Sequence, residues 1–167
     1  LYAYLLGAKT EFWRAHRQYA GIIHFVYLTC SYPGVYTADH FADVTNLKLD
    51  PAFADYVGEA FKPLGVYINF FQPTLKAGTT REFTVMLVND EAKRLKGKLA
   101  LTLETRSGQV LARAQQPFNL AELGAATQKL SLTIPETAGD CVLRAVARAD
   151  GQPAMAATVS RRWVTVE

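Results

Sequence analysis

Cysteine, methionine and tryptophan each occur only twice in the 167 residues, and no apolar run reaches ten residues. Two cysteines, Cys30 and Cys141, cannot build a disulfide framework, and they show no metal-ligand spacing. Both are expected to be buried free thiols. The most apolar segment, residues 21–28, is far shorter than the roughly 20 residues a membrane-spanning helix requires, so no membrane span is expected. Residues 1–20 lack the charged start, apolar centre and small-residue cleavage site of a secretory signal. The first residue is Leu1 rather than Met, so the chain reads as a piece of a longer protein whose compartment is unknown. With half its residues hydrophobic and 20% charged, the chain is neither a disordered tail, a collagen-like repeat nor a coiled coil. The length suits one domain, or one small domain with an attached piece.

The excess of positive charge is small, at +3. Residues 1–75 carry five basic and six acidic groups, and residues 76–167 carry thirteen and nine. The basic residues are spread along predicted strands without a basic tract or aromatic stripe, so no nucleic-acid partner is expected.

Two periodicities divide the chain. In residues 1–19 the apolar residues Leu1, Leu5, Ala8, Phe12, Ala15 and Tyr19 recur at three- and four-residue steps. They predict an amphipathic helix with Lys9, Glu11, Arg14 and Arg17 largely opposite. The run over 21–28 then suits a strand buried on both faces in a parallel sheet. Residues 29–49 read as a long, aromatic-rich and therefore functional loop. Asp50-Pro51 opens a second helix, with Asp as N-cap and Pro at its first position. Its stripe is Phe53, Val57, Ala60 and Leu64, and Gly65 is its stop.

From Gly65 the period falls to two. Seven strands are predicted, over 66–71, 81–88, 98–104, 110–116, 128–134, 141–149 and 156–166. Turns at Lys76-Ala77-Gly78 and Ser107-Gly108 help separate them. Seven short strands in about 100 residues argue for an immunoglobulin-like antiparallel β-sandwich. The fold class is thus mainly β, with a helix-strand-helix segment in front.

Chemistry is sparse. Asp39, His40 and Asp43 lie together, but no further cluster completes a metal shell. Glu11, Asp55 and Glu59 fall on helix surfaces, Asp50 is a cap, and no Gly-x-Ser-x-Gly, Walker loop or dinucleotide fingerprint is present. Trp13 and Trp163 read as core. His24, taken alone, reads as a core histidine with a hydrogen-bond partner.

The order of short motifs adds a resemblance. Phe12-Trp13-Arg14-Ala15-His16-Arg17 is followed by Ala20-Gly21-Ile22-Ile23-His24-Phe25, Ser31-Tyr32, Asp39-His40-Phe41-Ala42-Asp43-Val44 and Asp50-Pro51. Later come Phe61-Lys62-Pro63-Leu64-Gly65-Val66-Tyr67-Ile68, Val85-Met86-Leu87-Val88-Asn89-Asp90 and the closing Ser160-Arg161-Arg162-Trp163-Val164. This series resembles the C-terminal portion of a clan-A glycoside hydrolase, nearest to glycoside hydrolase family 2. The resemblance implies that residues 1–64 are the terminal α/β segment of a (β/α)8 barrel and residues 65–167 the sandwich behind it. It implies carbohydrate as a partner through the parent barrel, the remainder of that chain as a second partner, and no cofactor. Both family carboxylates, after the fourth strand and at the end of the seventh, would lie upstream, so no catalytic residue is expected here. Active sites of such barrels form at the C-terminal strand ends. His24, Tyr27, Tyr32, Asp39 and His40 would therefore line the sugar pocket's rim. His24 stands where the family typically has a Trp, and strand alternation would point it inward with Val26. A stand-alone sandwich binding carbohydrate or protein is the alternative.

Overall fold

The computed structural model describes residues 1–18, 21–23, 40–43, 45–136 and 139–167. Elements in chain order are α1 (Tyr2–Ala15), β1 (Phe41–Asp43), β2 (Lys48–Leu49), α2 (Pro51–Ala60), β3 (Leu64–Ile68), β4 (Thr74–Leu75), β5 (Thr80–Asn89), β6 (Leu95–Thr105), β7 (Val110–Leu120), β8 (Ala125–Thr133), β9 (Gly139–Ala149) and β10 (Thr158–Val166). The structure is mainly β.

All seven predicted strands form, and alternation explains most of them, β3 being buried at every position. Phe83, Val85 and Leu87 of β5, Leu99, Leu101 and Leu103 of β6, and Leu143, Ala145 and Ala147 of β9 all face the core. A three-stranded sheet, β3-β5-β8, faces a five-stranded one, β4-β10-β9-β6-β7, as a sandwich. The pairings are antiparallel except β4 with β10, where Thr165 and Val166 run parallel to Thr74 and Leu75. Gly78 and Gly108 take the positive φ angles their turns need, 68° and 90°.

The first 64 residues differ from expectation in several places. Residues 21–23 are irregular, and Ile23 is 94% exposed. The rest of the expected strand lies outside the described residues. The end of the expected loop forms a two-stranded hairpin, β1 with β2, whose turn is held by Asp43 accepting from the Asn46 backbone and side chain. α2 starts as read, with Asp50 accepting from the amides of Ala52 and Phe53. It stops at Ala60, before Leu64, because Pro63 can neither donate the next helical hydrogen bond nor let its predecessor stay helical. Leu64 instead opens β3.

α1 is rotated away from its expected stripe, of which only the small residues Ala8 and Ala15 are buried among the described residues. It buries Ala3, Gly7, Ala8, Thr10, Glu11, Arg14 and Ala15, while Leu1, Tyr2, Leu5, Phe12 and Trp13 remain exposed. Small residues let it approach α2 closely, with Gly7 against the Tyr56 backbone. The two helices close the side of the sandwich where β3 and the first part of β10 are edge strands.

Candidate functional site

The densest polar construction among the described residues is this junction of α1, α2, β3 and β10. Alternation along β10 sends Val164 and Val166 into the sandwich, and the same parity makes Thr158, Ser160 and Arg162 buried too. A polar stretch at inward positions needs polar partners. α1 supplies Glu11, whose Oε2 accepts from Arg162 Nη2 at 2.8 Å and from Ser160 Oγ at 2.7 Å. Arg162 also donates to the carbonyls of Ile68, at 2.9 Å, and Arg161, at 2.7 Å. The Ile68 amide donates to Ser160 Oγ at 3.3 Å. Side chains of β10 thus take up both main-chain groups of Ile68, on a strand at the edge of its sheet. Arg162 further lies over the rings of Phe71 and Tyr67, at 4.8 and 5.5 Å. Burial pushes the Glu11 carboxyl above its usual range, and Arg162 and Ser160 pull it back. Burial likewise raises the Tyr67 phenol.

Two outer ties flank this centre. Arg14 donates to the carbonyl of Ala60, at the C-terminus of α2, and to Asp90 at 2.6 Å. Arg17 grips the same carboxylate and the Leu123 carbonyl. On the far side Arg161 makes a bidentate pair with Asp55 at 2.5 and 2.7 Å, holding that carboxyl below its usual range. Glu59 accepts from the Val159 amide at 3.0 Å, and Lys62 donates to the Ala157 carbonyl at 2.8 Å. Tyr4 stacks on Trp163 with centroids 4.3 Å apart. Glu11, Asp55 and Glu59, expected on helix surfaces, are therefore fasteners. Trp13 is exposed rather than core, because its helix turned.

Of the expected rim residues, His24, Tyr27, Tyr32 and Asp39 lie outside the described residues. His40 is 3% exposed, its ring sandwiched between Phe53 at 4.4 Å and Tyr2 at 6.2 Å, and its carbonyl accepts from the Asp50 amide. It joins the small core of α1 and α2. Cys141 is a buried free thiol; Cys30 lies outside the described residues. Among the described residues no group of three His, Cys, Asp or Glu side chains could hold a metal ion, and no helix is long and apolar enough to cross a membrane. The Glu11–Arg162 centre was missed in the sequence. Its signal was the run Thr158, Ser160, Arg162 at the parity that later carries Val164 and Val166.

No protein-family model matches the chain, and no curated protein sequence does. Among solved structures it is similar to a family 123 glycoside hydrolase from Clostridium perfringens, at 10% identity and TM-score 0.42, over 62% of this chain and 27% of that one. The chain therefore spans little more than a quarter of that protein's length. It is also similar to a CARDB domain from Pyrococcus furiosus described in complex with di-metal ions, at 14% identity and TM-score 0.48, over 62% and 87%. A third similar structure is the C-terminal domain of wzt, at 18% identity and TM-score 0.45, over 61% and 69%.

Proposed function

We propose that the chain is the C-terminal portion of a clan-A glycoside hydrolase, nearest to family 2. In this reading residues 65–167 form an immunoglobulin-like sandwich that braces the barrel, and residues 24–43 line the sugar pocket's rim. One observation carries it: the two-sidedness of α1. Its small and charged face is locked onto the sandwich through Glu11 and Arg14, while Leu1 and Leu5 are left open at 80 and 55% exposure and Phe12, at 36%, sits at the border with one edge against Tyr67. An apolar stripe on a helix is a packing surface. In a (β/α)8 barrel such a stripe sits on the strand ring. A helix held on one face by a sandwich and apolar on the other suits a place between the two. The buried Glu11–Arg162 contact counts against the stand-alone module, for which the helices would be peripheral.

The chain itself carries no catalytic role. Its described acids serve the junction, cap α2 or sit on the surface, so the purified chain should turn over no aryl glycoside; turnover lost in Asp39→Asn or Asp43→Asn would contradict this. The deciding experiment expresses the polypeptide encoded directly upstream and mixes it with the chain. A one-to-one complex by gel filtration is expected, and Leu1→Lys with Leu5→Lys, both on the open face, should abolish it. An upstream region without a barrel pattern, or a complex indifferent to those changes, overturns the reading. In the reassembled enzyme, His24→Ala should lower kcat/KM by about tenfold, the worth of one hydrogen bond near 1.4 kcal/mol.

A further inference from the structure

The basic residues that look dispersed in the sequence converge on the outer face of the five-stranded sheet. Register sets Thr102 of β6 opposite Arg113 of β7 and Arg144 of β9, and Arg144 opposite Arg161 of β10. One row thus runs Arg113, Thr102, Arg144, Arg161 across four strands. Four residues further along, about 13 Å away on the same face, Lys98 of β6 is directly opposite Arg148 of β9. Like charges directly opposite on one face disfavour folding, and here there are two such pairs, Lys98 with Arg148 and Arg144 with Arg161. Arg161 is neutralised by Asp55, and Arg144 lies 3.7 Å from Glu104. Lys98, Arg113 and Arg148 are exposed and have no carboxylate within 4 Å among the described residues. Between the rows lies a groove of about 400 Å³ lined by these three, with Thr102, Glu104 and Gln115.

We infer that this groove binds an acidic polysaccharide, a glycan bearing carboxylate or sulfate groups. Arg113 and Arg148 present planar forks that match either anion bidentately, and Lys98 supplies a point charge. Glu104 Oε1 accepts from the Thr102 hydroxyl at 2.7 Å and Gln115 Oε1 from Arg113 at 3.3 Å, so these two side chains offer a ligand their remaining lone pairs. These suit a ligand that carries hydroxyl donors between its anionic groups. The choice of a glycan rests on the carbohydrate reading above; the groove itself does not, and its test needs no upstream polypeptide.

The full chain is titrated at neutral pH and about 50 mM salt, where surface charges are weakly screened. The probes are polygalacturonate, heparin, neutral dextran and a short DNA duplex. Binding to polygalacturonate or heparin, and not to dextran, is expected; polygalacturonate alone marks a carboxylate site and heparin alone a sulfate site. The triple change Lys98→Gln, Arg113→Gln, Arg148→Gln should weaken binding at least about tenfold with no loss of melting temperature, since all three side chains are exposed and the Lys98–Arg148 repulsion is relieved. The single reversal Arg148→Glu should weaken it too, and Lys129→Gln on the other sheet should not. No binding to either acidic glycan, binding indifferent to the triple change, or tighter binding of the DNA duplex overturns the inference.

Discussion

Replacing Arg162 by methionine would take the guanidinium from the Glu11 carboxylate and one donor each from the carbonyls of Arg161 and of Ile68, which keeps the Phe70 amide. Breaking a buried pair from one side typically costs about 3–5 kcal/mol, and urea denaturation of Arg162→Met should show a loss in that range. Glu11→Gln is expected to behave differently. The amide oxygen can still accept from Arg162 and Ser160, and the burial cost of a charge disappears. Because burial raises the Glu11 carboxyl, the folded state binds its proton more tightly than the unfolded chain does. Stability should therefore fall as pH rises from the ordinary glutamate range through the raised value. Glu11→Gln should flatten that slope and be no less stable at neutral pH. A wild-type midpoint that rises over the same interval, with no difference in the variant, would reverse the assignment. The pair's role is then to set where α1 sits on the sandwich, which a fully apolar contact would specify less sharply.

Two helical glycines separate packing from propensity at the scale of the elements. A Cβ on Gly7 would lie 2.9 Å from the Tyr56 carbonyl oxygen and 3.1 Å from its carbon, and backbone cannot retreat as a flexible side chain can. Gly58 of α2 has nothing within 4 Å of the same position. Gly58→Ala should thus stabilise by roughly 0.4–1 kcal/mol through helix propensity and a less flexible unfolded chain. Gly7→Ala should lower the melting temperature despite the same propensity gain, because α1 and α2 must move apart. Thermal denaturation of the two variants side by side tests the pairing; a stabilised Gly7→Ala would mean the helices are not in close contact.

At the scale of the whole molecule, the described residues form one large core and one small one. The sandwich core joins both sheets, whereas α1 and α2 share only Ala3, Phe53 and Val57 with a few partly buried neighbours. Residues 65–167 alone should unfold cooperatively, since both inward faces are complete, but at a lower temperature than the full chain. The loss comes from Glu11 leaving Arg162, and Phe12 and His16 leaving Tyr67. Residues 1–64 alone should show no cooperative transition by circular dichroism, for want of a core. A sandwich as stable without the helices as with them would mean that the junction contributes nothing to the fold.

Period-two alternation over residues 66–166, the Asp50-Pro51 cap and the glycine turns at 78 and 108 were legible in the sequence, because each is set by contacts within a few residues or by burial of one strand face. The orientation of α1 was not. Its apolar stripe is real, yet the face carrying Glu11 and Arg14 is the buried one, since only the tertiary structure brings up Arg162 from 151 positions away and Asp90 from 76. The same holds for the basic face. Lys98, Arg113, Arg144 and Arg148 look scattered along the chain, and only strand register decides which of them become neighbours. Local periodicity determines which side of an element is apolar; what that side meets, and which distant charges share a surface, depends on long-range pairing that no short window of sequence contains.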